Sequence, residues 1–236
     1  MFRRLASALA ILALTSAQAT LAQGARSREN PTCPAAPNWS NYPQMRFTVQ
    51  QISGRAVLLG EGVIDDNLIP RLQEALRTFQ GDEIWLRSPG GNARIGNEAG
   101  RLIRTNNMTT RIPAGWACFS ACNFLFMGGL VRHIDQGGLF IVHMFTFTSD
   151  ANVRRQVAQG QQDSTIGVIA DVEQGSAMLA SEDNDFLIRM GLSRRLLTEI
   201  MYRQRAVGDA SDRSTMRCLT LAEARLYNVV NDEAPR

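Results

Sequence analysis

Residues 83–103 read EIWLRSPGGNARIGNEAGRLI. Glu83 to Arg87 is a short, mostly apolar run suited to a strand. It runs straight into Ser88-Pro89-Gly90-Gly91, a turn, and Ile95 to Ile103 can form a helix behind it. The same order recurs on both sides. Upstream, Phe47 to Gln51 alternates, and Arg55 to Gly60 is a short apolar run suited to a buried strand. Leu68, Ile69, Leu72, Leu76 and Phe79 then share one helical face behind Asp65 and Asp66, and Pro70 is tolerable in a first turn. Downstream, Thr109 to Pro113 returns as a strand. Gly115 to Gly128 turns and enters an apolar helix, and Phe140 to Phe145 reads as a buried strand. This alternation predicts an α/β core with mostly parallel strands. Residues 164–204 read as helical, with Arg194, Arg195 and Arg203 outside. Leu219 to Val230 closes the chain as a short helix and a final strand. There is no internal repeat and no low-complexity block.

The 236 residues suit one large domain, and 44% hydrophobic with 20% charged residues is the balance of a folded chain. All 25 basic residues are arginine. Chemistry that needs an ε-amine is therefore excluded: a Schiff-base lysine, a Ser–Lys dyad or a P-loop lysine. With only two histidines, His133 and His143, a three-histidine zinc site cannot form within one chain. His133 lies in a polar stretch, Arg132-His133-Ile134-Asp135, and is expected at the surface.

Residues 1–19 read as a secretory signal. Arg3 and Arg4 open it, Leu5 to Leu14 is its apolar run, and Ala17-Gln18-Ala19 is a small-x-small cleavage site. The run is too short to span a membrane. Residues 20–44, rich in Pro, Ala, Ser and Asn, form an irregular leader, and residues 45–236 the folded domain. The expected location is periplasmic or secreted, with no membrane span once the signal is removed. Removing 1–19 takes two Arg and no acids from the net +3, and 23 Arg against 22 acids leaves +1. No cationic stripe remains for nucleic acid. The four cysteines, Cys33, Cys118, Cys122 and Cys218, suggest disulfides in an exported chain, with three connectivities open. Buried thiols, or a nucleophile at Cys118 or Cys122, are the alternatives. The spacing is poor for zinc, and no cofactor or metal is expected.

Three features can carry chemistry. The N–H groups around Gly90 and Gly91 can converge on one acceptor, which builds an oxyanion hole. Ser120 sits among small residues, Gly115-Trp116-Ala117-Cys118-Phe119-Ser120-Ala121-Cys122, at the mouth of an apolar helix. A serine there is usually a cap, and the same position suits a nucleophile. His143, 23 residues later, lies on an apolar strand and can serve as its general base.

These features in this order resemble the Clp protease proteolytic subunit and the wider crotonase-like superfamily, from about Ala56 to Asn231. The segments that carry the likeness are residues 60–67 (GEGVIDDN), 86–91 (LRSPGG), Ser120, His143 and residues 219–231 (LTLAEARLYNVVN). The likeness is greatest to exported bacterial Clp-like proteins with Ser-Ala-Cys at this elbow. The resemblance implies a spiral of βαβ units with a mostly parallel sheet and flanking helices. It implies Ser120 as nucleophile, His143 as base, and the N–H groups of Gly90 or Gly91 and of Ala121 as oxyanion donors. By analogy it also implies a homo-oligomer.

The sequence departs from the family at the acid, where the register puts Met216. Asp212 is the nearest upstream carboxylate and Asp209 the next, so Asp212 is the expected orienting acid. Residues 149–170 are extra material that can cover the site or mediate assembly. The function expected is an exported serine hydrolase, a peptidase acting on a peptide or other acyl substrate. The alternatives are a non-catalytic Clp-like binding or scaffold protein and a crotonase-like acyl-CoA enzyme. The ATP-dependent barrel does not carry over to an exported chain.

Overall fold

Strand β1 (Arg46–Ile52) turns back through Ser53 and Gly54 into β2 (Arg55–Glu61). Both turn residues have positive φ, +50° and +78°, as a two-residue hairpin of matching twist requires. Two strand–helix–strand units follow: β2, α1 (Leu68–Thr78), β3 (Glu83–Arg87), then α2 (Ala93–Thr105) and β4 (Thr109–Ile112). The computed structural model describes residues 33–34, 36–148, 150–160, 162–206 and 215–232. The expected signal stretch 1–19 and most of the leader lie outside the described residues.

The protein is mixed α/β. Its larger sheet has the order β1-β2-β3-β4-β6, where β6 is Arg132–Ile134. Only the β1–β2 pair is antiparallel; β2, β3, β4 and β6 run parallel. Leu58, Ile84 and Ile112 from its strands are buried with Leu68 and Leu72 of α1 and Ile103 of α2. This is the layering that the apolar strand runs and the one-sided helix dictate.

A second sheet of three strands was not apparent in the sequence. It has the order β5 (Ala117–Phe119), β7 (Leu139–His143) and β8 (Met216–Cys218). β5 and β7 are parallel, β7 and β8 antiparallel. Between β5 and β6 lies the short apolar helix α3 (Cys122–Gly128). α2 packs on α3 at backbone distance. A Cβ on Gly100 would stand 2.4 Å from the Phe124 carbonyl oxygen, so no larger residue fits there.

Past β7, α4 (Ala151–Gln159) and the long α5 (Gln162–Arg189) follow, then a π-helical turn (Leu196–Ile200) and a 3-10 turn (Met201–Arg203). The chain closes through α6 (Leu221–Leu226), started by a capping box between Thr220 and Glu223. Three local expectations need correction. The final strand is absent among the described residues: after α6 the chain places Val229 and Val230 in the core without pairing. The expected strand to Phe145 stops at His143. The polar stretch around His133, expected at the surface, is only partly exposed: it forms strand β6, whose Arg132 is 1% exposed. The Arg132 guanidinium donates to the carbonyls of Gly129, Asn228 and Val229, each at 2.9 Å. Those acceptors replace the water lost on burial, while desolvation, with Arg104 nearby, pushes its pKa down to about 10.

The cysteines pair at disulfide distance as Cys33 with Cys218 and Cys118 with Cys122. The first pins the leader to β8. The second brackets Ser120 and removes the expected alternative of a free thiol nucleophile at Cys118 or Cys122.

Candidate active site

The turn after β3 is stitched to both neighbours. Ser88 N–H donates to the Ala117 carbonyl and Phe119 N–H to the Ser88 carbonyl, both at 3.0 Å, tying the turn to β5. On the other side Ile64 N–H donates to the Gly90 carbonyl and Asn92 N–H to the Ile64 carbonyl, both at 2.8 Å. Gly90 and Gly91 have φ of +87° and +146°. A Cβ on Gly90 would meet the Phe119 carbonyl oxygen at 2.6 Å and Ser120 Cβ at 2.7 Å. Only glycines let this turn lie flat on the strand end that carries Ser120.

Ser120 has φ +57°, left-handed backbone that a residue with a Cβ adopts at a cost. Its side chain does not cap α3, although a cap is the ordinary role of a serine at that place. Its Oγ instead lies 2.7 Å from His143 Nε2. That distance is within general-base reach. His143 is the last residue of β7, and Ser120 N–H donates to Ile141 on the same strand at 3.3 Å. The parallel pairing of β5 and β7 thus sets both residues at one sheet edge, across 23 residues of sequence.

Burial pushes the His143 pKa below its ordinary value, and a hydrogen bond to the Met144 backbone acts weakly the other way. The imidazole is therefore neutral at neutral pH, the form a base requires. Its ring lies 4.7 Å from that of Phe119, which stacks on Trp39 of the leader at 5.5 Å. The leader segment pinned by Cys33 thus packs behind the aromatic ring that touches His143.

Of the expected oxyanion donors, the Gly90 N–H is already taken, donating to Ser88 Oγ at 3.0 Å. Among the described residues the N–H groups of Gly91 and Ala121 have no acceptor, and they flank Ser120. The expected orienting acid, Asp212, lies outside the described residues, as does Asp209. The β7–β8 register sets Met216 directly opposite His143, the position where the resemblance expects the acid. No described carboxylate is hydrogen-bonded to His143.

Two cavities meet at the pair. An open groove of about 530 Å³ runs past Gly91, Ser120 and His143, with Phe145, Phe147 and Leu179 on its walls. That wall comes mainly from Phe145 to Phe147 and from Gly175 and Leu179 of α5; of the extra segment 149–170, only Asp150 among the described residues lines the groove. A narrow slot of about 30 Å³ opens behind Ser120 and reaches Asn123 and Asp183. The sequence reading missed both polar residues. Asp183 carried a signal: it stands four residues from both Leu179 and Leu187, inside the apolar stripe of α5. Among the described residues no group of three or more His, Cys, Asp or Glu side chains could hold a metal ion. No helix there is long and apolar enough to cross a membrane. No protein-family model matches the chain, and no curated protein matches it in sequence.

Proposed function

We propose that the chain is an exported serine hydrolase of the peptidase type, working with a Ser120–His143 dyad in a Clp-like or crotonase-like fold. The observation that carries this reading is the 2.7 Å contact between Ser120 Oγ and His143 Nε2, made by a serine held at positive φ. The two disulfide pairs favour an oxidising compartment, the periplasm or the exterior. The order of glycine turn, serine and histidine agrees with the resemblance to the Clp proteolytic subunit.

The chemistry follows from the groups present. His143 Nε2 accepts the hydroxyl proton as Ser120 Oγ bonds to the substrate carbonyl carbon. The carbonyl electron pair moves to oxygen, where the Gly91 and Ala121 N–H groups stabilise it. Losing one such donor costs on the order of 3 kcal/mol of barrier. His143 then gives the proton to the leaving group as its bond to carbon breaks, which leaves an acyl-serine. Water, deprotonated by the same imidazole, attacks that ester, and the returned proton restores the hydroxyl. A dyad without an orienting carboxylate works at a reduced rate.

A fluorophosphonate probe tests this reading. It should label the wild type at Ser120 and leave Ser120→Ala unlabelled. A folded wild type that stays unlabelled overturns it. The second reading, a non-catalytic binding or scaffold protein, draws on Met216 standing opposite His143. It gains from that same negative result.

A further inference from the structure

The slot behind Ser120 is walled by Phe124, Met127, Phe140, Leu187 and Leu196. Asn123 and Asp183 interrupt this apolar lining, at 3% and 6% exposure. Each presents a buried oxygen without a hydrogen-bond partner, Asn123 Oδ1 and Asp183 Oδ1. The Asn123 amide is oriented by Nδ2, which donates to the Ile141 carbonyl at 2.8 Å, so the free end is the acceptor. Native interiors rarely leave one such atom unsatisfied, and here two line one cavity. The other side-chain donors in the lining, Ser120 and His143, are engaged with each other.

We infer that this slot is a specificity pocket for an unbranched cationic side chain of the substrate, lysine-like or arginine-like. The alkyl stem lies against the apolar wall and the charged end donates to Asp183 and Asn123. The inference rests on the hydrolase reading for its link to catalysis. An apolar side chain would leave both acceptors stranded, and an anion would meet the carboxyl. The resting slot is too narrow for such a chain. Met127 and Met201 line it, and unbranched thioethers change shape at low cost.

Asp183 is not an orienting acid for His143, because no hydrogen bond or charge interaction couples them. Burial, with Glu182 beside it, pushes the Asp183 pKa up to about 7. The titratable groups around it are Glu182 on its own helix, Tyr202 of the 3-10 turn and His143 across the slot. Glu182 is itself paired with Arg94 at 3.7 Å. A bound cation favours the ionised carboxylate, so cation binding releases a proton and tightens as pH rises through that value.

The test is calorimetric titration of the full chain with n-butylguanidinium and with neutral n-pentanol, at pH 6 and pH 8. At pH 8 the cation should bind the wild type about tenfold or more tightly than the alcohol, the scale of a hydrogen bond to a charged group. The margin should shrink at pH 6 and vanish in Asp183→Asn, whose folding is checked by thermal melting. Asp183→Leu should instead favour the alcohol. Equal binding of the two probes to the wild type, a margin that ignores pH, or a cation preference that survives in Asp183→Asn overturns the inference. Ser120→Ala should keep the cation preference while losing fluorophosphonate labelling, and n-butylguanidinium should slow labelling of the wild type. Absent labelling with intact cation binding sinks only the hydrolase reading. Labelling without cation preference sinks only the pocket.

Discussion

The two histidines lie on strands of different sheets, and their surroundings are opposite. His133, on β6 of the larger sheet, has Asp135 3.1 Å from Nε2 and Asp232 bonded to Nδ1. Asp135 is in turn held by Arg111 at 2.6 Å. His143, on β7 of the smaller sheet, has no described carboxylate bonded to it, a hydroxyl at 2.7 Å and an aromatic ring at 4.7 Å. His133 has two carboxylates and, among the described residues, no hydroxyl partner, and it clamps the chain near Asp232 to the larger sheet. His143 has a serine hydroxyl beside it and a partly buried setting that lowers its pKa. The Cys33–Cys218 link ties the leader to the smaller sheet.

The largest effect expected from breaking this contrast is on stability. Cys33–Cys218 closes a loop across 185 residues, and chain entropy puts its loss at about 5 kcal/mol, against about 2 kcal/mol for Cys118–Cys122. Denaturant unfolding of the two double-alanine variants measures the difference. Equal losses would mean that the leader does not hold the smaller sheet.

Next comes the proposed base. His143→Ala should lower kcat/KM by about 10²–10⁴-fold on an activated ester. His133→Ala should leave it within about twofold and lower stability by about 1 kcal/mol or less. A comparable loss in both variants would erase the distinction between the two regions.

The pH profile sharpens it further. The folded pKa of His143 is depressed, so the neutral base is retained as pH falls and is lost only below the ordinary value of 6.5. The acid limb of kcat/KM should have its midpoint below that value. A midpoint above it would contradict the buried, acid-free setting.

The smallest effect is a gain. Met216→Asp would place a carboxylate opposite His143, giving it an acid neighbour as Asp135 and Asp232 give His133. It should move the acid limb upward and raise kcat by about tenfold, since an acid partner orients and stabilises the imidazolium. A profile that does not move would show that position 216 has no hold on the ring.

Much of the site was legible because its parts announce themselves locally. Two glycines after an apolar strand, a serine among small residues at a helix start, and a histidine on an apolar run are each visible over a few residues. The choice of Gly91 over Gly90 was not, because it depends on where the Ser88 hydroxyl points. Asp183 was hidden in a long helical stretch whose buried face only the packing against α2 and α3 defines. Arg132 was read as part of a polar surface segment because two of its three carbonyl partners, Asn228 and Val229, come from a distant part of the chain. The pairing of the four cysteines was open for the same reason.

By itself the sequence determined the alternation of strands and helices, the glycine turn and the identities of Ser120 and His143, because backbone sterics and apolar periodicity act over a few neighbouring residues. The tertiary structure alone decided the split into two sheets, the cysteine partners, the 2.7 Å approach of hydroxyl to imidazole and the two stranded oxygens behind it. Those depend on which distant segments pack together, and burial and register are properties of the packed chain that no local stretch contains.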